Sequence, residues 1–127
     1  DHPLAQVKRL RAADLAGQRW CLQHRFSDTR RQFTLEFLDH VPTIDVVLES
    51  DSLNVLKSAV QAHVGLGCLP RPCILQELKA GTLLELPVED LKLTIPLSII
   101  ERKSVRKSPQ HTRFVAAVLN SSAKPRG

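Results

Sequence analysis

The chain has no tyrosine, no methionine, one tryptophan and four phenylalanines. Surfaces that stack nucleic-acid bases need a set of aromatic platforms, and so few rings leave little material for one. Cys21, Cys68 and Cys73 are odd in number, and none has a partner at metal-ligand spacing. Neither a zinc site nor any other metal centre is expected, and three free thiols suit a reducing, cytoplasmic setting. Five glycines do not make a phosphate loop: Gly65 and Gly67 stand together, but they follow a helical stretch where a fingerprint would precede one. No apolar run approaches the roughly 20 residues of a membrane helix, and no basic-then-apolar leader is present, so no membrane association is expected. Without an initiating Met, the sequence reads as a piece of a longer protein.

Catalytic groupings are also missing. His2, His24, His40, His63 and His111 fall in no triad or nucleophile elbow, so no catalytic residue and no cofactor are expected. Cys68 lies in an apolar run, where a thiol is ordinarily packing; a cysteine hydrolase built on it predicts labelling of that thiol in the folded state. A net charge of +5 over 127 residues permits an anionic partner. The one dense basic run, Arg102, Lys103, Arg106 and Lys107, reads as a solvated loop. At 43% hydrophobic content the chain can bury one main core.

The central stretch is Thr43 to Pro70. Ile44 to Leu48 reads as a strand, and Ser50, Asp51 and Ser52 supply oxygens that cap a following helix. Leu53, Leu56, Val60 and Val64 recur at three and four residues, giving that helix one apolar stripe, which Gly65 ends. Leu66 to Leu69 then reads as a strand covered on both faces, parallel to the first. Upstream, His2 to Ala5 reads as an extended end, Asp14 to Gly17 as a turn and Trp20 to Leu22 as a strand. Ser27, Asp28 and Thr29 open a helix to about His40 that carries Phe33, Phe37 and Val41 at four-residue spacing. Downstream, Pro72 opens a short helix with Ile74, Leu75 and Leu78 as its buried face, closed by Gly81. Leu83 to Leu86 and Leu93 to Ile100 are strand candidates, the latter interrupted by Pro96. Ser108 and Pro109 start a helix with Phe114, Val115, Val118 and Leu119 on one side, and Ser121 to Gly127 reads as a disordered tail. Alternating strands and helices imply an α/β fold with a mainly parallel sheet.

Two helix N-termini then lie at the C-terminal ends of strands, at Ser27 to Arg30 and at Ser50 to Asn54. Their free amide groups and hydroxyls can hold a carboxylate or another anion, or serve only as caps. Arg30 can pair with a ligand carboxylate or form a solvated surface ion pair.

The order of these motifs resembles the effector-binding domain of LysR-type transcriptional regulators over nearly the whole chain. The run Asp14, Leu15, Ala16, Gly17 before Trp20 is similar to that family's strand entry. Ser27, Asp28, Thr29 and Arg30 match its short Ser/Gly, Thr, Arg corner, and Val64 to Pro70 its glycine-bearing strand. The resemblance implies a periplasmic-binding-protein-like (type II) α/β subdomain, mainly parallel and flanked by helices. It assigns residues 1–12 to a crossover segment, 13–95 to the second effector-binding subdomain, 96–120 to a strand and helix returning to the first, and 121–127 to a tail. It implies a ligand-sensing regulatory domain without enzymatic activity, whose small-molecule effector, anionic in the simplest case, binds through Ser27, Asp28, Thr29, Arg30, Ser50, Ser52 and Gly67. DNA binding would belong to an N-terminal helix-turn-helix outside these residues, in a cytoplasmic parent that is a homodimer or tetramer. Asp28 departs from the pattern, which often has Gly there; its carboxylate either caps the helix or repels a bound anion. A fragment of a solute-binding transport protein of the same fold is the alternative.

Overall fold

The computed structural model describes residues 2–95, 98–100, 102 and 108–122. The chain divides into two compact units, 1–95 and 96–127. In the first, β1 (Arg19–Leu22), α1 (Asp28–Leu38), β2 (Asp45–Glu49), α2 (Leu53–Gln61) and β3 (Leu66–Gly67) follow in turn. Both strand pairs are parallel, in the order β2-β1-β3, so β1 is central. The strand–helix–strand unit expected between Thr43 and Pro70 is present. However, β3 keeps only two of its four expected residues, and Leu66, Cys68 and Leu69 are half-buried.

The core forms where β1 meets α1. Trp20, Leu22, Phe33, Phe37 and Val41 are buried with Leu10, Ala12 and Leu15. The rings of Phe33 and Phe37 lie one helical turn apart and stack at 5.1 Å, while Trp20 meets them at 4.6 and 5.2 Å. Four-residue spacing put both phenylalanines on one helix face, and that face is the one buried.

Several expectations need correction. Pro3–Gln6 is a 3-10 turn, where an extended end was expected. A second 3-10 turn, Ala12–Leu15, precedes Gly17, which takes the positive φ of 74° that the turn requires. α2 ends at Gln61, and the left-handed residue after it is His63, at φ 59°, in the place where Gly65 was expected to act. Gly65 has a different duty: a Cβ there would stand 2.6 Å from the Arg19 carbonyl oxygen, because β1 and β3 approach backbone to backbone. Leu83 to Leu86 is not a strand. Leu10 instead makes one parallel bridge with Val88, taking Glu89 N–H and giving its own N–H to the Pro87 carbonyl. No described residue of Leu93 to Ile100 is in a strand either, and Pro96 and Leu97 lie outside the described residues. An apolar run makes a strand only where a neighbour takes its backbone groups.

Past β3, a 3-10 turn (Arg71–Ile74) leads into α3 (Leu75–Ala80), which closes at Gly81 with φ 70°. Its apolar face is half-buried at Ile74 and Leu78 and exposed at Leu75, short of the burial expected. Lys57 Nζ donates to Glu77 Oε1 at 2.7 Å and ties α2 to α3. That hydrogen bond, with a backbone bond and the Lys57 charge adding to it, holds the Glu77 carboxyl below its ordinary range. Because the folded value is the lower one, the stabilisation is complete above the unfolded carboxylate range and is lost as pH falls through the folded value. Lys57→Ala should therefore raise the Glu77 titration midpoint, read by carboxyl-carbon NMR, and flatten the acid limb of stability against pH. An acid limb identical to wild type would contradict the pairing.

In the second unit, α4 (Pro109–Ser122) opens as expected at Ser108, whose Oγ accepts from His111 N–H at 3.2 Å. The helix continues through Ser121 and Ser122, where the tail was expected to begin; residues 123–127 lie outside the described residues. No described helix is long and apolar enough to cross a membrane.

Candidate functional site

The strand order β2-β1-β3 reverses the direction of chain travel across β1. In open parallel sheets the crevice beyond the strand C-termini at such a switch is where ligands bind. Here that edge is built from the ends of β1, β2 and β3 and the starts of α1 and α2. The Ser50 N–H donates to the Leu22 carbonyl at 3.1 Å, and His24 Nε2 meets Glu49 Oε1 at 3.5 Å. These two links bring the Ser27 and Ser50 corners side by side.

The two corners use their oxygens differently. At α2, Ser52 Oγ accepts from Val55 N–H at 3.4 Å and Ser50 Oγ from Ser52 N–H at 3.1 Å, so that corner satisfies itself. At α1, Ser27 is in the N-cap position but makes no side-chain cap; its Oγ donates to Gln23 Oε1 at 3.0 Å. The first amide groups of α1 therefore have no side-chain cap. Asp28 pairs with Arg31 at 3.3 Å on the exposed side of the helix, which offsets the negative charge it brings to the corner. Thr29 is half-buried beside it.

Arg30 carries the sharpest feature. Its Nε donates to Thr34 Oγ1 at 3.0 Å, while its Nη1 is buried and has no hydrogen-bond partner among the described residues. Its charge is felt at Cys68, just beyond β3. Burial pushes the Cys68 thiol up to about 11, with Arg30 pulling the other way. At that value little thiolate exists near neutral pH, so Cys68 is a poor nucleophile. Gly67 ends β3 at the same crevice, but its missing side chain is explained from the other side. A Cβ there would stand 2.9 Å from the Val60 methyl of α2.

Thr34 lies outside the site residues expected from the sequence, and Cys68 stands there only as a candidate nucleophile, not as a neighbour of Arg30. The i, i+4 spacing of Arg30 and Thr34 is the sequence signal for the first; nothing local signals the second. Phe26, 82% exposed, also stands here, with the Arg25 guanidinium 5.2 Å from its ring. Among the described residues no group of three or more metal-ligating side chains converges. Along β3 runs a cavity of about 390 Å³ that reaches Gly67 and Cys68 and is lined further by Leu69, Ile74, Leu86 and Leu91 with Arg71 and Glu85, which pair at 3.1 Å. It is mostly apolar, as a groove beside an unpaired strand edge would be, and offers an anion little.

The sequence is similar to those of known regulators. The chain is 33% identical to the HTH-type transcriptional regulator YeiE of Escherichia coli (strain K12) over 101 residues, which are 80% of this chain and 34% of that protein. It is 27% identical to the RuBisCO operon transcriptional regulator of Allochromatium vinosum over 98% of this chain and 41% of that protein. The HTH-type transcriptional regulator YfiE of E. coli (strain K12) matches 62% of the chain at 30% identity. The chain thus spans about a third of the length of the first of these relatives. Residues 1–123 match the LysR substrate binding domain, and this chain belongs to that family, with its type II periplasmic-binding-like fold.

Proposed function

We propose that this chain is the effector-sensing part of a LysR-type regulator and that its effector is a small anion held at the α1 corner. The observation that carries the reading is the buried, unpartnered Nη1 of Arg30, a residue in the first turn of α1, whose N-cap Ser27 makes no side-chain cap. A buried guanidinium nitrogen without an acceptor is costly, and an anionic oxygen is the partner that removes the cost. Ser27, Thr29 and Arg30 hold the anion, Ser50 and Ser52 form the adjacent wall, and Asp28 stays turned to Arg31. Gly67 serves by bringing β3 close to α2. In the full-length protein, residues outside this chain close the cleft and an N-terminal helix-turn-helix contacts DNA. The parent acts in the cytoplasm as a homodimer or tetramer, without enzymatic activity, and effector binding alters its hold on the operator by shifting the population of two domain arrangements.

Calorimetric titration of the full-length regulator with sodium acetate and with sodium phosphate, at constant ionic strength, tests the reading. Arg30→Gln should raise the dissociation constant of the bound anion by about ten- to a hundredfold, the usual worth of a hydrogen bond to a charged group. Operator binding without the anion should be unchanged. An isotherm unaffected by Arg30→Gln would sink the assignment.

A further inference from the structure

Arginine side chains are flexible, and a guanidinium that recognises an anion loses affinity to the entropy of being held still. Arg30 is already held. Its Nε donates to Thr34 Oγ1 at 3.0 Å in a partly buried setting, one turn further along α1. An exposed pair at this spacing would be an ordinary helix-surface contact worth a few tenths of a kcal/mol. Here the bond engages Nε and leaves the buried Nη1 without a partner. The fork is thus oriented before any ligand arrives.

We propose that Thr34 is a positioning residue: it does not touch the anion, but its hydroxyl fixes the Arg30 guanidinium for binding. The proposal rests on the anion reading of the α1 corner and adds to it a residue outside the corner motif. Thr34 accepts the Nε hydrogen and sets the plane of the fork, leaving Nη1 for the ligand. Cys68 lies within reach of the same charge and reports where the guanidinium is, since loss of that charge leaves its thiol harder to ionise.

Two variants separate a positioning role from a packing one. Thr34→Val keeps the shape and removes the acceptor; Thr34→Ser keeps the acceptor. The first readout needs no ligand. In a full-length Cys73→Ser background, which removes the exposed thiol while Cys21 stays buried, reaction of Cys68 with methyl methanethiosulfonate is followed against pH. Thr34→Val should slow it about threefold, towards the rate of Arg30→Gln, because the thiolate fraction falls. Thr34→Ser should react like wild type. The second readout is the acetate and phosphate titration. Thr34→Val should raise the dissociation constant about tenfold at unchanged melting temperature, and Thr34→Ser should restore it within about twofold. Wild-type affinity and wild-type Cys68 reactivity in Thr34→Val overturn the positioning role while leaving the anion reading intact, provided Arg30→Gln still weakens binding. A melting temperature that falls in Thr34→Val without a change in Cys68 reactivity makes the residue structural and also overturns it. Absence of saturable binding of either anion to wild type removes the anion reading, and the role of Thr34 with it.

Discussion

Replacing Phe37 by alanine is expected to destabilise the 1–95 unit by about 3 to 5 kcal/mol, the range for deleting a buried aromatic ring. Phe37 is fully buried, stacks on Phe33 and receives the edge of Trp20. Removing it therefore opens a cavity at the junction of α1 and β1 and takes one ring contact each from Phe33 and Trp20. Small domains hold only about 5 to 15 kcal/mol of stability, so most of it would go. The consequence reaches the site, because α1 carries Ser27, Thr29, Arg30 and Thr34. Urea unfolding followed by circular dichroism would show the loss as a lower midpoint with little change in slope. A loss under about 1.5 kcal/mol would mean that the ring is not in the core.

Gly65→Ala is expected to be the second most damaging change, at about 3 kcal/mol, near the top of the usual range for overpacking. The added Cβ would meet the Arg19 carbonyl oxygen at 2.6 Å and the Arg19 carbonyl carbon at 2.9 Å. These are backbone atoms of the central strand and have no rotamer with which to move aside. The only relief is to part β3 from β1, which also carries Cys68 away from Arg30. Gly17→Ala provides the comparison. Nothing lies within 4 Å of its Cβ position, so only the left-handed φ of 74° opposes the change, at about 1 to 2 kcal/mol. Thermal melts should therefore rank Gly65→Ala below Gly17→Ala. The amide hydrogen of Trp20 should also exchange faster in Gly65→Ala alone. The reverse ranking would refute the close approach of the two strands.

Much of this was readable from local pattern. The Phe33 and Phe37 spacing, the Ser52 cap and the Thr43 to Pro70 unit needed only residues a few positions apart, where helix periodicity and capping chemistry act. The Leu83 to Leu86 and Leu93 to Ile100 runs failed as strands for the opposite reason. Their composition suits a strand, but a strand exists only when another segment meets its backbone. Leu10, more than seventy positions earlier in the chain, met Val88 at one residue alone. The candidate site divides in the same way. Both capping corners could be named from their Ser, Thr and Asp residues, but which of them spends its oxygens on itself could not.

By itself, the sequence determined the alternation of strands and helices, the aromatic face of α1, the family and the two corners at the strand ends. Each of these depends on short-range spacing or on the residue types at the corners. Only the tertiary structure decided that β1 is central and that Gly65 is needed because two backbones nearly touch. Only it could show that Ser52 caps its helix while Ser27 does not, and that Arg30 is held by Thr34 within reach of Cys68 with one nitrogen buried. Those outcomes depend on which distant segments meet, and burial and charge take effect through such meetings.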